Sequence, residues 1–148
     1  MKFLAIVAGL ALTTSLFATE APKSVKRLTQ KATHVVTGLI TATSSKDVDG
    51  VNGKGSIDAR HSFTVKISKV TLGDDLKTDQ VIECTTRKAK RGGVEFGVPG
   101  LKPVIWAQGQ TSIPKKGDVA QFFLQKQKDG TYWAITPNGI KVQENKAE

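Results

Sequence analysis

Apolar and polar residues alternate with a period of two over much of the chain from His34 to Gln143, which predicts strands rather than helices. His34–Thr43 (HVVTGLITAT) is dense in β-branched residues, and Gly38 in its interior predicts a bulge or sharp bend. Residues 44–60 hold Gly50, Asn52, Gly53 and Gly55 together with Asp47, Asp49 and Asp58, and read as a long turn. From Ser62 to Leu72, Phe63, Val65 and Ile67 point one way, and Ser62, Thr64, Lys66 and Ser68 the other. The phase then flips to Val70 and Leu72, as a bulge would make it. Gly73-Asp74-Asp75 turns the chain toward a third strand, Val81–Lys88. Glycines and prolines break the pattern from Ala89 to Pro114, leaving only Val104–Ala107 strand-like. Pro114–Asp118 is a turn into Val119–Gln127, whose Ala120, Phe122 and Leu124 share a face. Lys128-Asp129-Gly130 predicts a hairpin into Thr131–Thr136, where Trp133 and Ile135 are expected to close the core. Pro137-Asn138-Gly139 leads to a last short strand, Ile140–Gln143.

A helical period occurs only earlier, in the polar and basic residues 19–33. There Ser24 is expected to cap a short helix carrying Val25, Leu28 and Ala32 on one side. Five or six bulged strands in residues 34–143, behind that helical segment, predict an all-β fold, a small barrel or sandwich. Residues 144–148 are expected to be a disordered tail.

The order of elements is a V-V-x-G-x-I strand, a long F-x-V-x-I strand entering a Gly-Asp turn, and a V-I-x-C strand. An irregular segment, a P-x-x-G-D turn, an F-F-L strand and a closing hairpin follow. This pattern resembles the secreted bacterial OB-fold-like domains, whose barrel is similar to the N-terminal domain of tissue inhibitors of metalloproteinases. The resemblance implies a five-stranded OB-like barrel over residues 34–143 and little about activity. The animal inhibitors use a disulfide-tied N-terminal Cys to chelate the protease metal. This chain has none near either candidate mature N-terminus, so that mechanism is not carried over.

Met1–Ala18 changes the picture by location. Lys2 precedes an uncharged apolar run, Phe3–Leu12, and small residues approach a cut after Ala18, with Ala21 as the alternative; this reads as an export signal. The run ends short of the about 20 apolar residues a spanning helix needs, and no Cys follows it as in a lipoprotein. The expected address is secreted or periplasmic, with no transmembrane anchor. Removing residues 1–18 leaves 130 residues, one domain's worth, and takes away one of the 22 Lys and Arg and none of the 13 Asp and Glu. The mature charge is therefore +8, against +9 for the full chain. A basic exported protein meets lipid head groups, wall polymers and polysaccharides. Cys84 is the single cysteine, so no intrachain disulfide forms; alternation with Ile82 predicts a buried, inert thiol and a monomer held by packing.

Catalytic and metal chemistry finds little footing. Asp47, Asp49, Asn52 and Asp58 suggest a loose Ca²⁺ cage, but the EF-hand register fails at Val51 and Asn52, and an ordinary polar turn is favoured. His34 and His61, the two histidines, fall about 30 Å apart if the first two strands pair across the 44–60 turn, too far to share a metal. No G-x-S-x-G elbow exists, and Asp74 and Asp75 are expected to point apart into water. Neither a cofactor nor a metal is expected, and an enzyme is not. Arg87-Lys88-Ala89-Lys90-Arg91 is the sharpest local feature, and Lys115 and Lys116 join it if their turn folds nearby. Nucleic acid is not the expected partner, because stacking needs aromatic rings beside the cations and the predicted outer face of the second strand, Ser62, Thr64, Lys66 and Ser68, has none, and because export argues against it. Trp106 is a candidate carbohydrate or partner contact, with core filling the competing role. The expectation is an exported, non-enzymatic module binding an acidic envelope polymer or protein partner through a basic strand-end loop. The alternatives are a structural or accessory envelope protein with no ligand of its own, and a protease-inhibitor-like module using the irregular loop.

Overall fold

Strand length and bulge position decide how this chain closes. The structure, a computed structural model, describes residues 23–51, 55–91, 110 and 112–143. The signal reading of residues 1–18, the irregular 92–109 with Trp106, and the tail 144–148 lie outside the described residues. The elements are α1 (Val25–Lys31), β1 (His34–Asp49), β2 (Ile57–Leu72), β3 (Val81–Arg91), β4 (Val119–Lys126), β5 (Tyr132–Ala134) and β6 (Ile140–Val142).

Pairing runs β1–β2–β3–β5–β4 and returns from β4 to β1, closing a five-strand barrel, with β6 outside it on β4. The β3–β5 pair is parallel and the others antiparallel, so the barrel is mixed. β1 serves two partners at once: Val35–Leu39 pairs with β2 and also with Val119–Phe123 of β4. Three register shifts in the β1–β2 ladder, next to Val35, Thr37 and Ile40, bend the pair enough for this. The bend expected at Gly38 is there. A Cβ at that position would stand 2.5 Å from Val65 Cγ1 and 2.6 Å from the Lys66 carbonyl oxygen, so glycine is what lets β1 lie against β2.

The alternation read from sequence builds the interior. Val36, Ile40, Phe63, Val65, Ile67, Ile82, Cys84, Ala120, Phe122 and Leu124 form the barrel core. β4 is buried on both faces: Phe123 points outward and packs with Leu28, Val35 and Ile135 in a second cluster under α1. A side chain of that size contributes roughly 1.5–3 kcal/mol when buried, which is why so short a helix stays docked. Ser24 caps it as expected, its Oγ accepting from the Arg27 N–H at 3.4 Å. Only Leu28 of the helix is buried, and Val25 is 51% exposed. Among the described residues no helix is long and apolar enough to cross a membrane.

Two expectations need correction. Residues 44–60 are not one long turn: β1 runs on to Asp49 and β2 begins at Ile57, in register from Ser44↔Ser62 to Asp49↔Ile57. This arm has water on much of its surface, so its residues need no apolar alternation, and polarity alone imitates a turn. Trp133 does not close the core either. Tyr132 and Ala134 pack against the barrel interior, and Trp133 lies half-buried on the outer surface.

Gly38→Ala is expected to destabilise the protein by about 1–3 kcal/mol, as overpacking against fixed backbone does. Thermal or urea unfolding reads this directly; an unchanged midpoint would mean that β1 bends elsewhere.

Candidate polyanion-binding face

Cross-strand register brings together cations that are far apart in sequence. Lys46 pairs with Arg60, and Arg60 with Arg87, so three like charges stand side by side across β1, β2 and β3. Like charges directly opposite one another destabilise a sheet by a few tenths to about 1 kcal/mol. The next row is Ser44, Ser62 and Thr85, and Thr85 pairs in parallel with Trp133 of β5. The Arg60 guanidinium carbon lies 4.7 Å from the Trp133 ring centroid and that of Arg87 5.3 Å, both in cation–π range. The ring missing from the outer face of β2 is therefore supplied sideways, by β5.

The run Arg87–Arg91 is not a strand-end loop. β3 continues to Arg91, and alternation divides the cations between two faces. Arg87 faces Trp133. Lys88, in the row of Asp47 and Ala59, and Lys90, bonded to Asp47 at 2.8 and 2.9 Å, lie toward the other face, near His61. Burial, then the charges of Lys88 and Lys90, hold the His61 imidazole below its ordinary pKa. Arg91 pairs through its backbone with Ile57. Lys115 and Lys116 do not join the group. The Gly117 N–H donates to the Ile40 carbonyl, six residues before Lys46 along β1, which is roughly 20 Å at about 3.3 Å per residue.

Two cavities flank the arginines. One, of about 440 Å³, is lined by Lys23, Lys31, Val51, Asp58, Arg87, Trp133 and the two glutamines Gln125 and Gln127 among others. The other, of about 540 Å³, is lined by Lys46, Arg60, Ser62, Glu83, Thr85 and the hairpin residues Gly130 and Thr131 among others. In the first, Asp58 is only 3% exposed and its Oδ1 has no hydrogen-bond partner; the Arg87 Nε is likewise buried and unpaired. Each such group costs about 1–3 kcal/mol when nothing bonds it.

Elsewhere, the structure assembles a series that sequence spacing does not suggest. Thr33 Oγ1 lies 2.8 Å from His34 Nδ1, His34 Nε2 lies 2.5 Å from Asp75 Oδ1, and Asp75 Oδ2 also receives the Lys126 ammonium. Asp75 thus does not simply face water; it is 46% exposed. Thr33 Oγ1 also accepts from the Lys126 N–H at 2.9 Å and lies 3.3 Å from the Leu124 carbonyl, so the hydroxyl is engaged with backbone. These contacts clasp the start of β1, the 73–80 turn and the end of β4. His34 and His61 sit apart, as their register demands, and among the described residues no cluster of three ligating side chains could hold a metal. Cys84 is fully buried, and burial pushes its thiol well above the ordinary cysteine range. Comparison with known protein families, curated proteins and solved structures finds no match to this chain.

Hydrogen bonds from Lys126 and then His34 hold the Asp75 carboxyl well below the usual carboxylate range. A folded-state pKa below the unfolded one stabilises fully above about pH 4, and that stabilisation is lost as pH falls further. Asp75→Asn is expected to lower the melting temperature at pH 7 and to flatten its fall between about pH 4 and pH 2. A variant with an acid limb as steep as the natural protein's would remove Asp75 from the clasp.

Proposed function

We propose that this protein is an exported, non-enzymatic binding module that engages an acidic polymer through the outer face of β2, β3 and β5. The observation that carries this is the in-register row of Lys46, Arg60 and Arg87 beside Trp133. A fold that holds three cations in adjacent strands stores repulsion, and a polyanion laid across them relieves it. Arg60 has the Asp129 carboxylate in its field, but no side-chain ion pair ties up the row among the described residues, whereas Lys90 on the other face is paired with Asp47.

The connectivity supports the finer reading of an OB-like barrel similar to the secreted bacterial domains. The barrel closes in the order β1–β2–β3–β5–β4, with β3 and β5 parallel. OB barrels bind oligonucleotides and oligosaccharides on the β2–β3 face between the β1–β2 and β4–β5 loops. Here Val51 from the first connection and Gly130 and Thr131 from the second border the two cavities. Export favours an envelope polymer or secreted partner over nucleic acid. Lys88, Lys115 and Lys116 contribute net charge at a distance, and the protein works as a monomer without cofactor or metal.

Retention on immobilised polygalacturonate and polyphosphate tests the reading. Affinity should fall linearly in a log–log plot against salt. Arg60→Glu with Arg87→Glu should weaken binding at least tenfold in about 0.15 M salt. Lys115→Glu with Lys116→Glu makes the same change in net charge about 20 Å away, beyond a Debye length of about 8 Å, and should change it less than twofold. Equal losses from the two pairs would show that net charge, not this face, governs binding.

A further inference from the structure

We propose that the cavity between Asp58, Arg87 and Trp133 selects a hydroxyl-bearing acidic polysaccharide, of uronic-acid type, over polyanions that offer acceptors alone. The inference rests on the acidic-polymer reading and narrows it to one class of polymer. Its starting point is a pair of complementary buried groups on one cavity wall. Asp58 Oδ1 is an acceptor without a donor, and Arg87 Nε is a donor without an acceptor. A carboxylate enclosed to this degree is rare unless something binds it.

A hydroxyl group both donates and accepts, so sugar hydroxyls can serve both groups at once. A phosphate or sulfate ester oxygen only accepts. Placed beside Asp58 it leaves Oδ1 unserved and sets like charge against like. Asp58 thereby works against one ligand class as much as for another, the repulsive element by which specific sites discriminate. A uronate carries its carboxylate and its hydroxyls on a single ring. The carboxylate answers Arg60, Lys46 or Lys31 on the rim, and the hydroxyls answer Asp58, Arg87 and the amides of Gln125 and Gln127. The cavity, about 440 Å³, falls within the roughly 300–1,000 Å³ of small-ligand sites.

Calorimetric titration with polygalacturonate, its fully O-acetylated form and polyphosphate tests this on the natural protein and on Asp58→Ala. Acetylation keeps the charge spacing and removes the donors. It should weaken binding to the natural protein at least tenfold and to Asp58→Ala less than twofold. Asp58→Ala should itself bind polygalacturonate at least tenfold more weakly, bind polyphosphate no less tightly, and melt no lower, since it removes a buried oxygen that has no hydrogen-bond partner. Equal affinity of the natural protein for the native and acetylated polymers overturns the proposal. So does an equal loss of polygalacturonate and polyphosphate binding in the variant. Should Asp58→Ala fail to fold, the acetylation comparison on the natural protein decides alone. If polygalacturonate and polyphosphate bind the natural protein equally tightly, selection fails and the acidic-polymer reading stands. If neither binds, both fall.

Discussion

Everything in this molecule hangs on β1 lying between two partners over the same few residues. The bulges and the missing side chain at Gly38 let its backbone close on β2 while its other edge takes β4. Without that bend, β1 and β4 would remain open edges, each a row of unpaired backbone groups. With it, the chain of consequences is short. β4 sets the place of β5, β5 pairs with β3, and Trp133 arrives beside Thr85 and under the two arginines. The candidate face is thus a product of closure, not of any one segment.

The three-strand arm formed by the far ends of β1, β2 and β3 treats its two faces differently. On one, Lys90 is matched to Asp47. On the other, Lys46, Arg60 and Arg87 stand in a row and Asp58 is enclosed without a bond at Oδ1. Both departures run against cross-strand charge pairing and buried-group satisfaction. Unpaired buried groups occur on the first face too, where His61 Nε2 and Thr86 Oγ1, partners across β2 and β3, also have no hydrogen bond, while Ser62–Thr85 and Thr41–Thr64 are bonded.

The sequence reveals what is periodic and local. Alternation identifies Phe63, Val65, Ile67, Ala120, Phe122 and Leu124 as core, Ser24 as a cap, Gly38 as a bend and Cys84 as buried. It misleads where solvent touches both faces, because the arm at 44–60 then has no apolar period to display. It is ambiguous at Thr131–Thr136, where Tyr132 with Ala134 and Trp133 with Ile135 offer two equally apolar faces; the parallel β3–β5 register chooses between them. A run such as Arg87–Arg91 looks like one patch when read as a line and becomes two when pleated. The row Lys46–Arg60–Arg87 and the contact of His34 with Asp75 join residues separated by many positions, and no local signal marks them.

The same double pairing of β1 sets the earliest point at which the barrel can begin to close. Residues 33 and 34 are the first of the barrel to leave a ribosome, yet their bonds go to Leu124, Lys126 and Asp75. Until residue 126 has emerged, the nascent chain can form only a hairpin or a three-strand sheet with one side of β1 waiting. Synthesis at about 5–20 residues per second makes that wait last for seconds. The first strand made waits longest for its second neighbour.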